Sequence, residues 1–407
     1  MKKEVGSGIV APTPGSSEGD SGHVATRMLV NILLQFHQEV HVFTRATAVF
    51  EFDDERIVVH RYSKPFANSS WYFRLLGQVV YQIKYSLGIL RYSKRMGVIV
   101  FGGGGFILPA IMSRSCRIHV LYRIGGVKYK EVSRQNYRDH LWSNFLKAFR
   151  KSQYAIANTI LVLSPSLIEF ADVGRFSNKC RIFNHYYFDM SLFSDHIEYE
   201  YREQIIGHIG VSHTKGTMQL LRAYDSSELS EHYQLLIIGK GPKLASAKEF
   251  VDKRDIDVTF TGYINRSEMA THYNRMKLFV NCSESEGVPK AMFESMACGT
   301  PVAATPVGGV PDYLVDGENG FLLRGNDPNQ LADDLSRIVN RSNKYDVAGA
   351  GRDYVCENFS YQSTLNQYYD IVATETDIHI QPPPDNPVEP LSRQQDSKTS
   401  HRRIYEE

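Results

Sequence analysis

Cysteine is scarce and unpaired in this 407-residue chain: Cys116, Cys180, Cys282, Cys298 and Cys356 make an odd number, and none stand in CxxC spacing. That pattern excludes a disulfide framework and a zinc ribbon and suits a reducing compartment. No apolar run approaches the roughly 18 residues that a membrane span requires. The first ten residues lack the apolar core and cleavage site of a secretory leader, so the expected location is the cytoplasm. No DxD-like or His-rich cluster stands at a strand end, and Asp53-Asp54 falls in a surface loop, so neither a metal nor a cofactor is expected. Carboxylates are missing altogether between Arg56 and Lys130, a stretch that carries 13 basic residues. The overall charge of +1 therefore hides a division: 25 Lys/Arg against 14 Asp/Glu in residues 1–195, and 21 against 31 in residues 196–407. Halves of opposite charge suggest two domains with different tasks.

What is present is an alternation of strands and helices, repeated twice. Gly8-Ile-Val-Ala-Pro reads as a strand entering a loop rich in Gly, Ser and Pro, followed by a helix with Val24, Met28, Ile32 and Phe36 at helical spacing. Further strands are expected at residues 40–44, 97–101, 118–122 and 159–164. The pattern restarts with strands at 204–209, 234–239, 258–262, 278–281 and 301–305. Such alternation implies parallel sheets covered on both faces. The expected divisions are a first domain over 1–195, a second over 196–345 and a helical segment over 346–375. The last packed helix should run from about Asn340 through Tyr369, and a Pro-rich, polar, disordered tail should occupy 376–407.

The segment Ser283-Glu-Ser-Glu-Gly-Val-Pro-Lys-Ala-Met-Phe-Glu-Ser-Met-Ala-Cys-Gly-Thr-Pro-Val is the most informative. A strand ends at Asn281, a short loop carries Glu286-Gly287, and a helix is expected to open at Val288-Pro289, where proline's missing N–H costs nothing. Ligands of open parallel sheets collect at such carboxyl ends, and the free N–H groups of a helix start favour phosphate or sugar oxygens. Glu286 and Glu294 stand eight positions apart, and a carboxylate can accept two hydrogen bonds from a vicinal diol.

This segment, continued by Gly308-Gly309-Val-Pro-Asp312 and Asp316-Gly-Glu-Asn-Gly-Phe-Leu-Leu, resembles the E-x7-E region of retaining family-4 glycosyltransferases of GT-B fold. Gly239-Lys-Gly-Pro and Phe260-Thr-Gly-Tyr extend the resemblance over most of residues 200–335. It implies two Rossmann-like doubly wound domains facing across a cleft, a nucleotide-diphosphate sugar as donor, a glycan or lipid-linked acceptor, retained anomeric configuration and no required metal. By match, Glu294 holds the donor ribose and Glu286 lies at the transferred sugar. The backbone of Gly287, Val288, Pro289 and Lys290 contacts that sugar, and Lys215 meets the diphosphate. The segment Gly210-Val-Ser-His-Thr-Lys215-Gly216 is one residue shorter than the family pattern and lacks its Arg; His213 or Ser212 is the candidate substitute.

In the first half, the loop carrying Gly19 and Gly22 is a candidate to approach phosphate or acceptor through its amides. Phe101-Gly-Gly-Gly-Gly105 fails the GxGxxG frame and reads as a tight turn. Arg123, His119 and Tyr122 are alternative acceptor contacts near one strand, with His119 equally readable as a core residue. Two other readings remain open: a nucleotide-sugar hydrolase or epimerase of the same fold, and a binding protein without catalysis. The basic stretch, with aromatic and apolar residues at Ser70-Trp-Tyr-Phe-Arg-Leu-Leu and Tyr81-Gln-Ile-Lys-Tyr, also suggests a peripheral contact with an anionic membrane. A nearly neutral chain without a nucleic-acid motif is not expected to bind nucleic acid.

Overall fold

A computed structural model describes residues 6–11, 21–48, 52–66, 70–102, 105–124, 148–385 and 387. The chain divides into two compact units. One takes in residues 1–163, 171–186 and 364–407, the other residues 164–170 and 187–363.

The first unit is built on β1 (Gly6–Ala11), β2 (Val40–Arg45), β3 (Ile57–Tyr62), β4 (Met96–Phe101), β5 (His119–Arg123), β6 (Thr159–Val162) and β7 (Cys180–Ile182). They form one sheet in the order β3-β2-β1-β4-β5-β6-β7, every pairing parallel. β4 and β6 are almost continuously apolar and buried, as strands covered on both faces must be. The C-terminal helix Tyr361–Glu375 reaches this unit through its buried Tyr368, whose Oη lies 2.9 Å from His37 Nε2.

The second unit holds β8 (Ile205–Ile209), β9 (Gln234–Ile238), β10 (Val258–Gly262), β11 (Leu278–Asn281), β12 (Val302–Ala304) and β13 (Phe321–Leu322). Their order is β10-β9-β8-β11-β12-β13, again parallel throughout. Alternate residues of these strands feed two different cores. Leu235 and Ile237 of β9 join Leu278 and Val280 of β11 against Leu220, Leu331 and Leu335. Leu236, Ile238 and Phe279 point the other way, into a core of Phe188, Met292, Phe293 and Phe359. The period of two thus accounts for helices on both faces. The helix Pro328–Val339 shows how locally the boundaries are set: Asp327 accepts from the N–H groups of Asn329 and Gln330 at 3.1 and 3.2 Å, and Pro328 occupies the first turn.

In both sheets the order of strands reverses once, between β1 and β4 and between β8 and β11. Ligands of doubly wound sheets bind at that reversal, beyond the carboxyl ends of the strands.

Two helix boundaries differ from expectation. The helix expected over 340–369 is two helices, Lys344–Asn358 and Tyr361–Glu375. Phe359 leaves helical geometry at φ −123° to bury its ring in the core, and Ser360 Oγ accepts from Ser363 N–H at 3.1 Å to start the next helix. The helix expected from Val288-Pro289 opens at Lys290 instead, because Pro289 remains extended at ψ 114° and serves as its cap. Residues 376–385 follow the last helix with Ile380 buried, and residues 388–407 lie outside the described residues.

Candidate functional site

The reversal between β8 and β11 brings two loops together. The chain leaves β8 at Gly210 (φ +96°), makes a 3-10 turn over His213–Lys215 and passes Gly216 in the left-handed region (φ +72°) into the helix Thr217–Asp225. A Cβ on Gly216 would lie 2.1 Å from the carbonyl oxygen of Cys282, so only glycine lets the β8 loop touch the β11 loop. The contact is completed by Glu284 N–H donating to Thr214 O at 2.8 Å. Beneath it, fully buried His208 bridges the same two strands through Nδ1, 2.9 Å from Val280 O. Since a carbonyl only accepts, Nδ1 carries the proton.

Burial holds the His208 pKa down at about 4, against the ordinary 6.5. The folded state therefore keeps this imidazole neutral at pH values where the unfolded chain protonates it. Stability rises with pH wherever the unfolded chain binds more protons, so unfolding free energy is expected to fall as pH drops from about 6.5 to about 4. The loss from this group should approach about 3 kcal/mol. Denaturant titrations across that window check it: the slope should shrink in His208→Asn, and an unchanged slope would contradict the assignment.

On this scaffold the structure joins Lys215 to Glu286. Lys215 Nζ pairs with Glu286 Oε1, and the Ser283 hydroxyl sits 2.8 Å from both that same oxygen and Asn281 Oδ1. Ser283 is completely buried, and its own carbonyl accepts from Thr305 Oγ1 at 2.6 Å, so the carboxylate is anchored from β11 and β12 together. The lysine stem lies across Gly210, where an added Cβ would come within 3.0 Å of Lys215 Cγ. Lys215 is the more accessible partner, one-third exposed, with Glu286 half as open.

From Glu286 the chain runs through Gly287 and Val288 to buried Pro289 and then Lys290, the first residue of the helix Lys290–Ala297. The β12 loop presses directly on this stretch. Gly309 N–H donates to Gly287 O at 2.7 Å, and a Cβ on Gly308 (φ +60°) would fall 2.0 Å from Glu286 O. Gly308→Ala should therefore displace Glu286 while leaving both cores packed. The expected cost is about 1–3 kcal/mol of strain, with a larger relative loss of ligand affinity. Denaturation and ligand titration on the same preparation check this, and unchanged ligand affinity would contradict it.

Glu294, on the helix Lys290–Ala297, belongs to a separate cluster. Tyr273 Oη donates to Glu294 Oε2 at 3.1 Å, and Arg266 Nε stands 3.6 Å from Oε1. Tyr273 and Arg266 are seven residues apart on the helix Arg266–Arg275, two turns along one face. The helix carrying Glu294 is fixed at its far end by Arg202, which donates to Cys298 O and Thr300 Oγ1 at 2.8 and 2.7 Å.

Of the other candidates in this unit, Gly210 and His213 lie in the β8 loop, with the His213 side chain exposed. In the first unit, Gly22 sits in the first turn of the helix Ser21–Leu33, with Thr26 Oγ1 donating to its carbonyl at 2.8 Å. Gly19 lies outside the described residues. Arg123 closes β5 at its carboxyl end, buried, with Nη1 2.5 Å from His185 Nε2. His119 opens the same strand, 2.9 Å from Thr159 Oγ1, and so stands at the opposite edge of the sheet.

Ser283, Tyr273, Arg266 and the pair Gly308-Gly309 were not singled out as site residues by sequence. For Tyr273 and Arg266 the available signal was their seven-residue spacing on one helix.

Comparison with known proteins fits this geometry. Residues 199–350 match the model of a family described as glycosyl transferases group 1. The D-inositol 3-phosphate glycosyltransferase of Thermobifida fusca is 35% identical over 101 residues, 25% of this chain and 23% of that enzyme. The first curated relatives are matched over less than half of their own length. Among solved structures, sucrose-phosphate synthase of Thermosynechococcus elongatus superposes with a TM-score of 0.71 at 20% identity, covering 91% of this chain and 98% of that one. The Anabaena protein HepE, solved in complex with UDP, superposes with a TM-score of 0.70 at 16% identity, covering 91% and 100%. These likenesses identify the fold as GT-B, with two Rossmann-like α/β domains.

Proposed function

We propose a sugar transfer, starting from the match of residues 199–350 to the model of the glycosyl transferases group 1 family. The donor is a nucleotide-diphosphate sugar, the acceptor a glycan or a lipid-linked sugar, and the transfer proceeds with retention and without a required metal. The observation that carries the reading is the Lys215–Glu286 pair, anchored by Ser283 at the carboxyl ends of β8 and β11 where the sheet order reverses. HepE, which shares the fold, has been solved with UDP-glucose, and this supports a nucleotide sugar here.

Transfer breaks the bond between the sugar's anomeric carbon and a phosphate oxygen, whose electron pair leaves with the diphosphate, while an acceptor hydroxyl oxygen bonds that carbon and gives its proton to the departing diphosphate. The Lys215 ammonium and the N–H groups of the β8 loop meet that charge, each well-placed donor being worth roughly 3–4 kcal/mol in the transition state. Before the donor arrives, Lys215 and Glu286 compensate each other. A diphosphate draws the ammonium to itself, and the released Glu286 carboxylate then accepts hydroxyls of the transferred sugar. Glu294, oriented by Tyr273 and Arg266, accepts the ribose hydroxyls. His213, exposed in the same turn as Lys215, is with Ser212 the candidate to serve where the family's Arg is missing.

Calorimetric titration with UDP, GDP and ADP tests the donor half of the proposal. One of the three should bind stoichiometrically and lose affinity in Lys215→Ala. Binding of none of them would overturn it.

A further inference from the structure

We infer that one face of the first unit is a docking surface for an anionic lipid membrane, made by the outward stripe of the helix Trp71–Tyr92 and a basic cavity on its border. No described helix is long and apolar enough to cross a membrane, so the contact is peripheral.

The 22-residue helix departs from the usual arrangement of a surface helix, being apolar on its outward face as well. Its buried face carries Tyr81, Gln82, Tyr85, Ser86 and Ile89, whereas Tyr72, Leu76, Val79, Ile83, Leu87 and Leu90 are each 42–58% exposed. At 3.6 residues per turn these six outward residues fall within about 80° of arc, a single stripe along the helix. Leu108 and Ile111 of the neighbouring helix Ile107–Ser115, 41% and 46% exposed, widen it. The two helices are tied together by Leu108 N–H donating to Gln82 Oε1 at 3.1 Å. A helix facing only water turns its polar residues outward, and a contiguous apolar patch on a soluble surface marks an interaction site.

The second observation identifies the occupant. Between β3 and this helix lies a cavity of about 470 Å³ lined by His60, Arg61, Tyr62, Lys84, Leu87 and Arg91, among others. It presents three cations and no carboxylate. Leu87 belongs to both the cavity wall and the stripe, and Lys84 and Arg91, two turns apart, run along the stripe's edge. In the sequence, no Asp or Glu occurs between residues 56 and 130. Apolar side chains beside a basic pocket match a bilayer interface, where acyl chains and anionic headgroups adjoin. A second copy of the chain would instead bring like charges face to face.

Flotation of the full chain tests the inference, using phosphatidylcholine vesicles and vesicles of phosphatidylcholine mixed with phosphatidylglycerol at low salt. The wild type should float with the mixed vesicles alone and detach as salt rises. Leu76→Glu/Leu87→Glu should abolish flotation. Lys84→Gln/Arg91→Gln should weaken it by about fivefold per charge removed. Both variants should retain wild-type thermal unfolding and nucleotide binding, since none of these residues enters the donor site. Equal flotation on both vesicle types, or none on either, would overturn the inference. So would wild-type flotation by Leu76→Glu/Leu87→Glu, or a dimer in sedimentation equilibrium that this variant dissociates.

Discussion

Glu294→Ala is expected to lower donor affinity about 100-fold. A carboxylate that accepts two hydroxyl hydrogen bonds from a ribose loses about 2–4 kcal/mol of binding when removed, allowing for non-additivity of bonds worth roughly 1.5–3 kcal/mol each. The substitution has a second, separable consequence. Tyr273, fully buried, donates its Oη to Glu294 Oε2 at 3.1 Å. Removing the acceptor strands that hydroxyl and should cost about 1–3 kcal/mol of stability. Glu294→Ala/Tyr273→Phe should therefore regain stability without regaining donor affinity. Titration calorimetry and denaturant unfolding on the single and double variants separate the two effects. A double variant that recovers affinity would show Glu294 to be structural only.

Lys215→Ala is expected to reduce turnover by about 100-fold or more, the scale of losing one transition-state donor. Its effect on stability should be small, because Lys215 is one-third exposed and such pairs contribute at most about 1 kcal/mol. Lys215→Arg keeps the charge but should restore the rate only in part, because the stem lies against Gly210 and a longer planar guanidinium does not put its donors where the ammonium stands. His213→Ala provides the comparison for the second candidate at the diphosphate. If His213 stands in for the family's Arg, its loss should lower turnover too; an inert His213→Ala leaves the phosphate to Lys215 and the backbone amides. Steady-state rates at saturating donor measure both. Wild-type turnover by Lys215→Ala would remove this residue from the chemistry.

How far the sequence exposes this site depends on the range of each interaction. Strand ends and turn glycines are local, so β11, the Glu286 loop and the Glu286–Glu294 spacing can be read directly from residues 278–299. The parallel α/β class follows from the same alternation. What joins distant segments is hidden: nothing in the order of residues says that Ser283 will hold Glu286, or that Tyr273 and Arg266 will hold Glu294 from another helix. The role of Gly216 emerges only once Cys282 O is found 2.1 Å from where its Cβ would be. The break at Phe359 is of the same kind, since helical periodicity continues on either side of a residue that the core withdraws from the helix. In the helix Trp71–Tyr92 the periodicity gives a stripe but not the direction in which it faces, and here it faces outward.

Sugar transfer from a nucleotide-diphosphate donor by the Lys215–Glu286 site can be followed with one nucleotide sugar through turnover. Release of nucleoside diphosphate and the fate of the sugar are recorded with and without a panel of glycan and lipid-linked acceptors. Nucleotide release should depend on acceptor, with the sugar recovered on the acceptor, and both should fall about 100-fold or more in Lys215→Ala. Release at the same rate without acceptor, with the sugar recovered free, would contradict it and make the chain a hydrolase.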